Sequence, residues 1–168
     1  TVYRLLNSFH HVVCERAFLP ENNASETPRP TTVESGRPIT DADIIAFSIS
    51  FENDYPYQLD ILDRAGIPLK SGDRADRHPL VIAGGVACFL NPEPLAPFID
   101  CFLIGEAEEI LPRFFQIFEP RTHKKAVLKN LAHNVPGTYI PAFYRPRYDD
   151  DGTLAAFEPQ EDGPPEIK

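Results

Sequence analysis

The sequence predicts an α/β fold, a three-layer arrangement around a mainly parallel sheet with a small C-terminal β-hairpin extension. Three observations predict it. Short apolar runs recur at Asp43–Ser50, Pro79–Ala83 and Asp100–Ile104, each followed by a glycine- or acid-bearing turn. Helix-like stretches separate these runs. Continuous apolar runs of this length read as parallel strands buried on both faces, because a one-sided strand would alternate. After Pro136-Gly137 the pattern changes to short segments around Asp149-Asp150-Asp151-Gly152, a hairpin signal.

The elements follow in order. Val2–Asn7 is helical in pattern, and Val12–Phe18 is β-branched and partly alternating, which predicts a strand. Residues 20–38 hold four prolines together with Asn22-Asn23 and Ser35-Gly36, which marks a loop. After the Asp43–Ser50 strand, Leu59, Ile61 and Leu62 stand at near-helical spacing within Tyr57–Ala65, and Gly66 stops that helix. A polar connection, Lys70–His78, leads to a strand over Leu80–Ala83. Asn91-Pro92-Glu93-Pro94 opens a short helical turn through Ile99, since proline suits a helix's first position. The Phe102–Ile104 strand feeds a helix over Glu106–Phe118, which Pro112 is expected to kink or split. Lys124–His133 is a further amphipathic helix. Thr138–Ile140, Ala142–Tyr148 and Thr153–Phe157 are predicted as short strands. The expected organisation is a main domain over 1–137, a hairpin extension over 138–157, and a Pro- and Glu-rich linker over 158–168.

Composition narrows the function classes. At 168 residues the chain is long enough for one domain with a full core. Its net charge of −9 disfavours non-specific binding to nucleic acid. No apolar run approaches the ~20 residues of a membrane helix, and no secretory signal is visible. The expected location is cytoplasmic. Cys14, Cys88 and Cys101 are an odd number without close pairing, so they form neither a disulfide framework nor a zinc site. Buried cysteines of this kind act as small hydrophobes, with Cys88 near enough to the Gly84-Gly85 turn to line a site. The five histidines show no metal-type spacing, and no nucleophile elbow, P-loop or HExxH occurs. No catalytic or metal-ligating residue is therefore assigned. The chain opens at Thr1 inside a helical pattern and contains no methionine. Either an upstream segment is absent, or methionines are missing from the sequence.

In an open α/β sheet, ligands sit at the carboxyl ends of the strands. That rule collects Ser50 and Glu52, Gly84 and Gly85, and Gly105 and Glu106 on one edge as candidate binding residues. Glycine pairs after a strand let a backbone approach a ligand closely. Replacing Gly85 with valine is expected to block such a ligand and leave the fold intact. Glu106, Glu108 and Glu109 near a helix start complement its dipole, and they would repel a phosphate. Ligand hydroxyls, amides or a cationic group suit this edge better.

The same residues carry a resemblance. Pro79-Leu80-Val81-Ile82-Ala83-Gly84-Gly85, Asn91-Pro92-Glu93-Pro94-Leu95-Ala96, Phe98-Ile99-Asp100 and Ile104-Gly105-Glu106-Ala107-Glu108-Glu109 together resemble the N-terminal domain of an uncharacterised family of radical S-adenosylmethionine (radical SAM) proteins. Val2–Asn7, Cys14–Phe18, Ile44–Glu52 with Tyr55, Leu62–Leu69 and Gly137–Pro141 extend it over most of residues 1–157. The resemblance implies a Rossmann-like or flavodoxin-like fold similar to the cobalamin-binding domains that precede radical SAM barrels, here without its first strand. It implies a non-catalytic domain shaping the substrate or cofactor side of a barrel in the same polypeptide. The barrel would hold an iron–sulfur cluster and SAM and act on an unknown small-molecule substrate. Its three-cysteine motif does not occur in this chain. Two further readings stay open: a corrinoid or small-molecule binding module, with cobalamin as the candidate cofactor, and a pure docking module. The Asp-x-His-x-x-Gly signature of histidine-ligated cobalamin is absent.

Overall fold

The computed structural model describes residues 2–19, 29–120, 122–160 and 162–166. After a short helix α1 (Val2–Leu6), its centre is a four-stranded sheet in the order β1 (Ile44–Ser48), β2 (Leu80–Gly84), β3 (Cys101–Leu103) and β4 (Thr138–Tyr139). The first three strands are parallel and the fourth is antiparallel. The register pairs Ile44 with Leu80 and Ile82 with Cys101, which aligns the carboxyl ends of the three apolar runs. Spatial order follows chain order throughout, so the strand order never doubles back across the sheet.

Two apolar layers close over the sheet. Successive strand residues point to opposite faces. Ile45, Ile49, Val81, Ala83 and Phe102 pack on one face with Leu62 and Ala65 of α2 (Tyr55–Arg64) and with Ala87 and Cys88. Leu80, Ile82 and Cys101 pack on the other with α4 (Ala107–Ile117) and α5 (Lys124–Asn134). The three layers and the mainly parallel sheet are those the sequence predicts. Pro112 lies inside α4, and the helix runs unbroken across it. Ile110, Leu111 and Phe114 hold it against the sheet, an apolar contact that outweighs one missing backbone hydrogen bond.

Two further elements differ from expectation. Val12–Phe18 is no strand of the sheet; only an isolated bridge joins Ala17 to Thr32. Side chains take two of its backbone N–H groups, Cys14 N–H donating to Asn7 Oδ1 at 3.0 Å and Arg16 N–H to Glu34 Oε2 at 2.7 Å. Residues 31–33 lie alongside, with Val33 N–H donating to Arg16 O at 2.7 Å, but β-propensity needs a continuing ladder to become a strand, and a single bridge does not supply one. Val86–Leu90, directly after the Gly84-Gly85 turn, forms the short helix α3, where the sequence signalled helix only from Asn91 onward. The proline-marked segment then forms one tight turn, Glu93–Leu95.

Among the described residues β1 is an edge strand. Ile49 N–H donates to Gly84 O and Leu80 N–H to Asp43 O, so the odd-numbered residues face β2. Ile44, Ala46 and Ser48 turn their backbone groups the other way, and Ala46 and Ser48 are exposed. Beyond the sheet, β5 (Tyr144–Tyr148) and β6 (Leu154–Pro159) form the expected hairpin, and both strands are exposed at most positions. The chain after it folds back. Asp162 pairs with Lys125 at 2.6 Å and Lys129 at 3.1 Å on α5, and Tyr144 Oη donates to Pro164 O at 3.0 Å.

Candidate functional site at the carboxyl edge

The carboxyl edge begins where β1 ends. Ser50 and Glu52 are exposed there, and Glu52–Asp54 form a tight turn into α2. Neither residue lines the cavity at the end of β3 or the one under the hairpin. At the end of β2, a Cβ on Gly84 would lie 3.1 Å from Leu103 O. Gly85 has φ 105°, and a Cβ there would lie 2.5 Å from Ile49 O and 2.9 Å from Ile49 N. The space that glycine leaves is filled by the protein's own backbone. Ile49 O also accepts from Ala87 N–H at 3.2 Å, so Gly85 lets α3 lock onto the end of β1. A valine at Gly85 therefore strikes the chain itself, so its cost falls on the fold as well as on any ligand.

Gly105 and Glu106 belong to a different place. They line a surface cavity of about 600 Å3 at the end of β3, with Glu109, Arg113, Asn134 and Gly137. Gly105 has φ 141°, a conformation that side chains rarely adopt. Gly137 holds the wall: a Cβ on it would lie 2.6 Å from Ile104 O, and Ile104 N–H donates to Gly137 O at 2.7 Å. Arg113 Nε donates to Asn134 O at 3.2 Å, which ties α4 to the end of α5. The cavity thus carries two carboxylates and a guanidinium, from α4 and the residue that precedes it. Such a lining suits a small polar or zwitterionic molecule, and its volume falls within the ~300–1,000 Å3 of small-molecule sites. Glu109 and Arg113 were not assigned from sequence as binding residues. Their signal was present: 106, 109 and 113 share one helical face.

The edge also carries apolar residues that stay uncovered. Phe51, Tyr57, Val86, Phe89 and Leu90 are all exposed. Val86, Phe89 and Leu90 lie at i, i+3 and i+4, one stripe of α3, while Ala87 and Cys88 on its other side are buried. Burial pushes the Cys88 thiol up to about 11.

The amino edge is built in the opposite manner. Asp100, ahead of β3, accepts Val81 N–H at 2.8 Å and pairs with Arg74 at 3.2 Å and Lys124 at 3.4 Å. Arg74 also donates to the carbonyls of Pro68, Leu69 and Phe98. Nearby, Tyr139 Oη donates to Glu93 at 2.5 Å beside a smaller cavity of about 270 Å3 under the hairpin. Burial raises the Tyr139 phenol above its ordinary value, and the Glu93 contact adds to it. Among the described residues no group of three or more His, Cys, Asp or Glu could hold a metal, and no helix is long and apolar enough to cross a membrane.

The family model described as radical SAM proteins, N-terminal, matches residues 1–141. The chain belongs to this radical SAM N-terminal family. The match takes in the whole four-stranded sheet and stops at Pro141, so the β5–β6 hairpin of this radical SAM N-terminal chain lies beyond it. Neither the curated proteins nor the solved structures give a match to the chain.

Proposed function

We propose that the chain is the non-catalytic N-terminal domain of a radical SAM enzyme and that its carboxyl edge forms the side turned toward the catalytic domain. The observation that carries this reading is the asymmetry of the sheet's two ends. The amino edge is closed by paired charges, while the carboxyl edge holds the larger cavity and an exposed apolar ridge. Within a family defined as an N-terminal domain, such an edge is the surface left for a partner. The iron–sulfur cluster and SAM belong to the barrel of the parent polypeptide, and Gly105, Glu106, Glu109 and Arg113 would shape a substrate pocket beside it. The open edge of β1 supports a further strand alongside it in the complete sheet.

Two measurements test this. A three-cysteine motif in the parent polypeptide after Lys168 is the expected sequence. Anaerobic reconstitution of the 168-residue chain with iron and sulfide should leave it without a cluster, since its cysteines stand 74 and 13 residues apart. Stoichiometric iron with the absorption of a cubane cluster would contradict the reading.

The cavity itself favours a second reading, a small-molecule binding module. A cobalamin titration followed by visible absorbance separates it from pure docking. Saturable binding that Arg113→Ala weakens tenfold supports the module, and no spectral change supports docking.

A further inference from the structure

The helix α3 is apolar on both sides. Its five residues are Val86-Ala87-Cys88-Phe89-Leu90, and a helix that is hydrophobic all round is normally buried all round. Here only one side is. Phe89 and Leu90 are 64% and 70% exposed, Val86 55%, with Phe51 at 68% just after β1 and Tyr57 at 56% in the first turn of α2. The ridge is held rigidly: Gly85 and Ile49 lock α3 to the end of β1, and Phe51 follows Ile49 by two residues. We infer that this ridge is the surface on which the catalytic domain of the same polypeptide packs, an inference that rests on the reading proposed above.

Area and charge select this occupant over a second copy of the chain. At ~150–250 Å2 per aromatic side chain, the five residues expose roughly 500–600 Å2. An interface between independent molecules takes about 800 Å2 from each partner, whereas domains of one chain meet over roughly 600–1,500 Å2 in total. A covalent connection holds a tethered domain at an effective concentration on the order of millimolar, so a smaller patch suffices. A net charge of −9 on each copy opposes self-association.

The test is hydroxyl-radical footprinting of the parent polypeptide and of the 168-residue chain, read by mass spectrometry. Phe102 and Phe114, fully buried, serve as internal controls and stay protected in both. Phe51, Phe89 and Leu90 should be oxidised at least tenfold more slowly in the parent. Phe89→Glu in the parent should raise the rate of proteolytic separation of the two domains about tenfold. A parent without cluster or SAM cleavage overturns the functional reading and this inference with it. A parent with both activities, but with Phe89 and Leu90 oxidised as in the isolated chain, overturns the docking surface alone. Equal protection in an isolated chain that sediments as a dimer assigns the ridge to a second copy and overturns the inference as well.

Discussion

The sheet's two ends use their polar groups for different purposes. At the amino end a single carboxylate, Asp100, is surrounded by Arg74, Lys124 and the Val81 N–H, all within 3.4 Å and nearly all withdrawn from water. At the carboxyl end Glu106, Glu109 and Arg113 stand exposed around a cavity, next to an uncovered apolar helix face. Buried charges persist only when paired, so the amino cluster specifies how Lys70–His78 and α5 close the bottom of the sheet. The carboxyl residues are under no such constraint from folding. The difference separates residues that hold the fold from residues left for something outside it.

The contrast is tested most severely at Asp100. Asp100→Ala leaves a guanidinium and an ammonium facing each other without their common partner. We expect a loss of about 3–5 kcal/mol in chemical denaturation. A loss below ~1 kcal/mol would mean that water reaches the cluster and that the two ends are alike.

Gly85 is the next largest. Gly85→Val combines positive-φ strain of ~1–3 kcal/mol with a Cβ 2.5 Å from Ile49 O. We expect a total of about 2–4 kcal/mol. Gly36→Ala, at φ 72° with nothing within 4 Å, should cost only ~1–2 kcal/mol. Equal effects at the two glycines would show that φ alone matters and that α3 is not locked.

Alkali probes the two buried thiols, one under each end of the sheet. Cys88 is raised from 9.0 to about 11 by burial, and Cys101 is raised in the same direction. The fold holds each thiol neutral, so below pH 9 their contribution is complete. Between pH 9 and 11 the unfolded chain releases its proton first, and stability falls as pH rises. Cys88 alone accounts for about 2–3 kcal/mol across that window. Cys88→Ala should flatten this limb of the stability–pH curve without abolishing it, because Cys101 remains. An unchanged slope would show that Cys88 is solvated.

The smallest effect is expected on the exposed stripe of α3. Phe89→Ser or Leu90→Ser in the isolated chain should shift stability by no more than ~0.5 kcal/mol, as for other exposed positions. A loss above ~1.5 kcal/mol in thermal unfolding would mean that the ridge already belongs to the core of this chain.

Much of this was legible in the residues. Ile44–Ser48, Leu80–Gly84 and Cys101–Leu103 are strands within one or two residues of the apolar runs that predicted them. Gly105 and Glu106 do line a cavity on the predicted edge. Ser50, Glu52, Gly84 and Gly85 share the edge but reach neither cavity among the described residues. Val12–Phe18 had strand propensity and found no ladder. The proline-based signal at Asn91 drew attention away from Val86–Leu90, whose unbroken apolarity looks the same in a strand and in a buried helix.

By itself, then, the sequence determined where parallel strands run and which of their ends carries glycines and acids, because hydrophobic periodicity and turn chemistry are local properties of a few neighbouring residues. Only the tertiary structure decided that Ile49 fills the space beside Gly85, that Asp100 gathers Arg74 and Lys124 from 26 residues before it and 24 after, and that Phe89 and Leu90 remain uncovered. Those outcomes depend on what arrives opposite each residue from distant parts of the chain, and no local pattern encodes the content of that facing space.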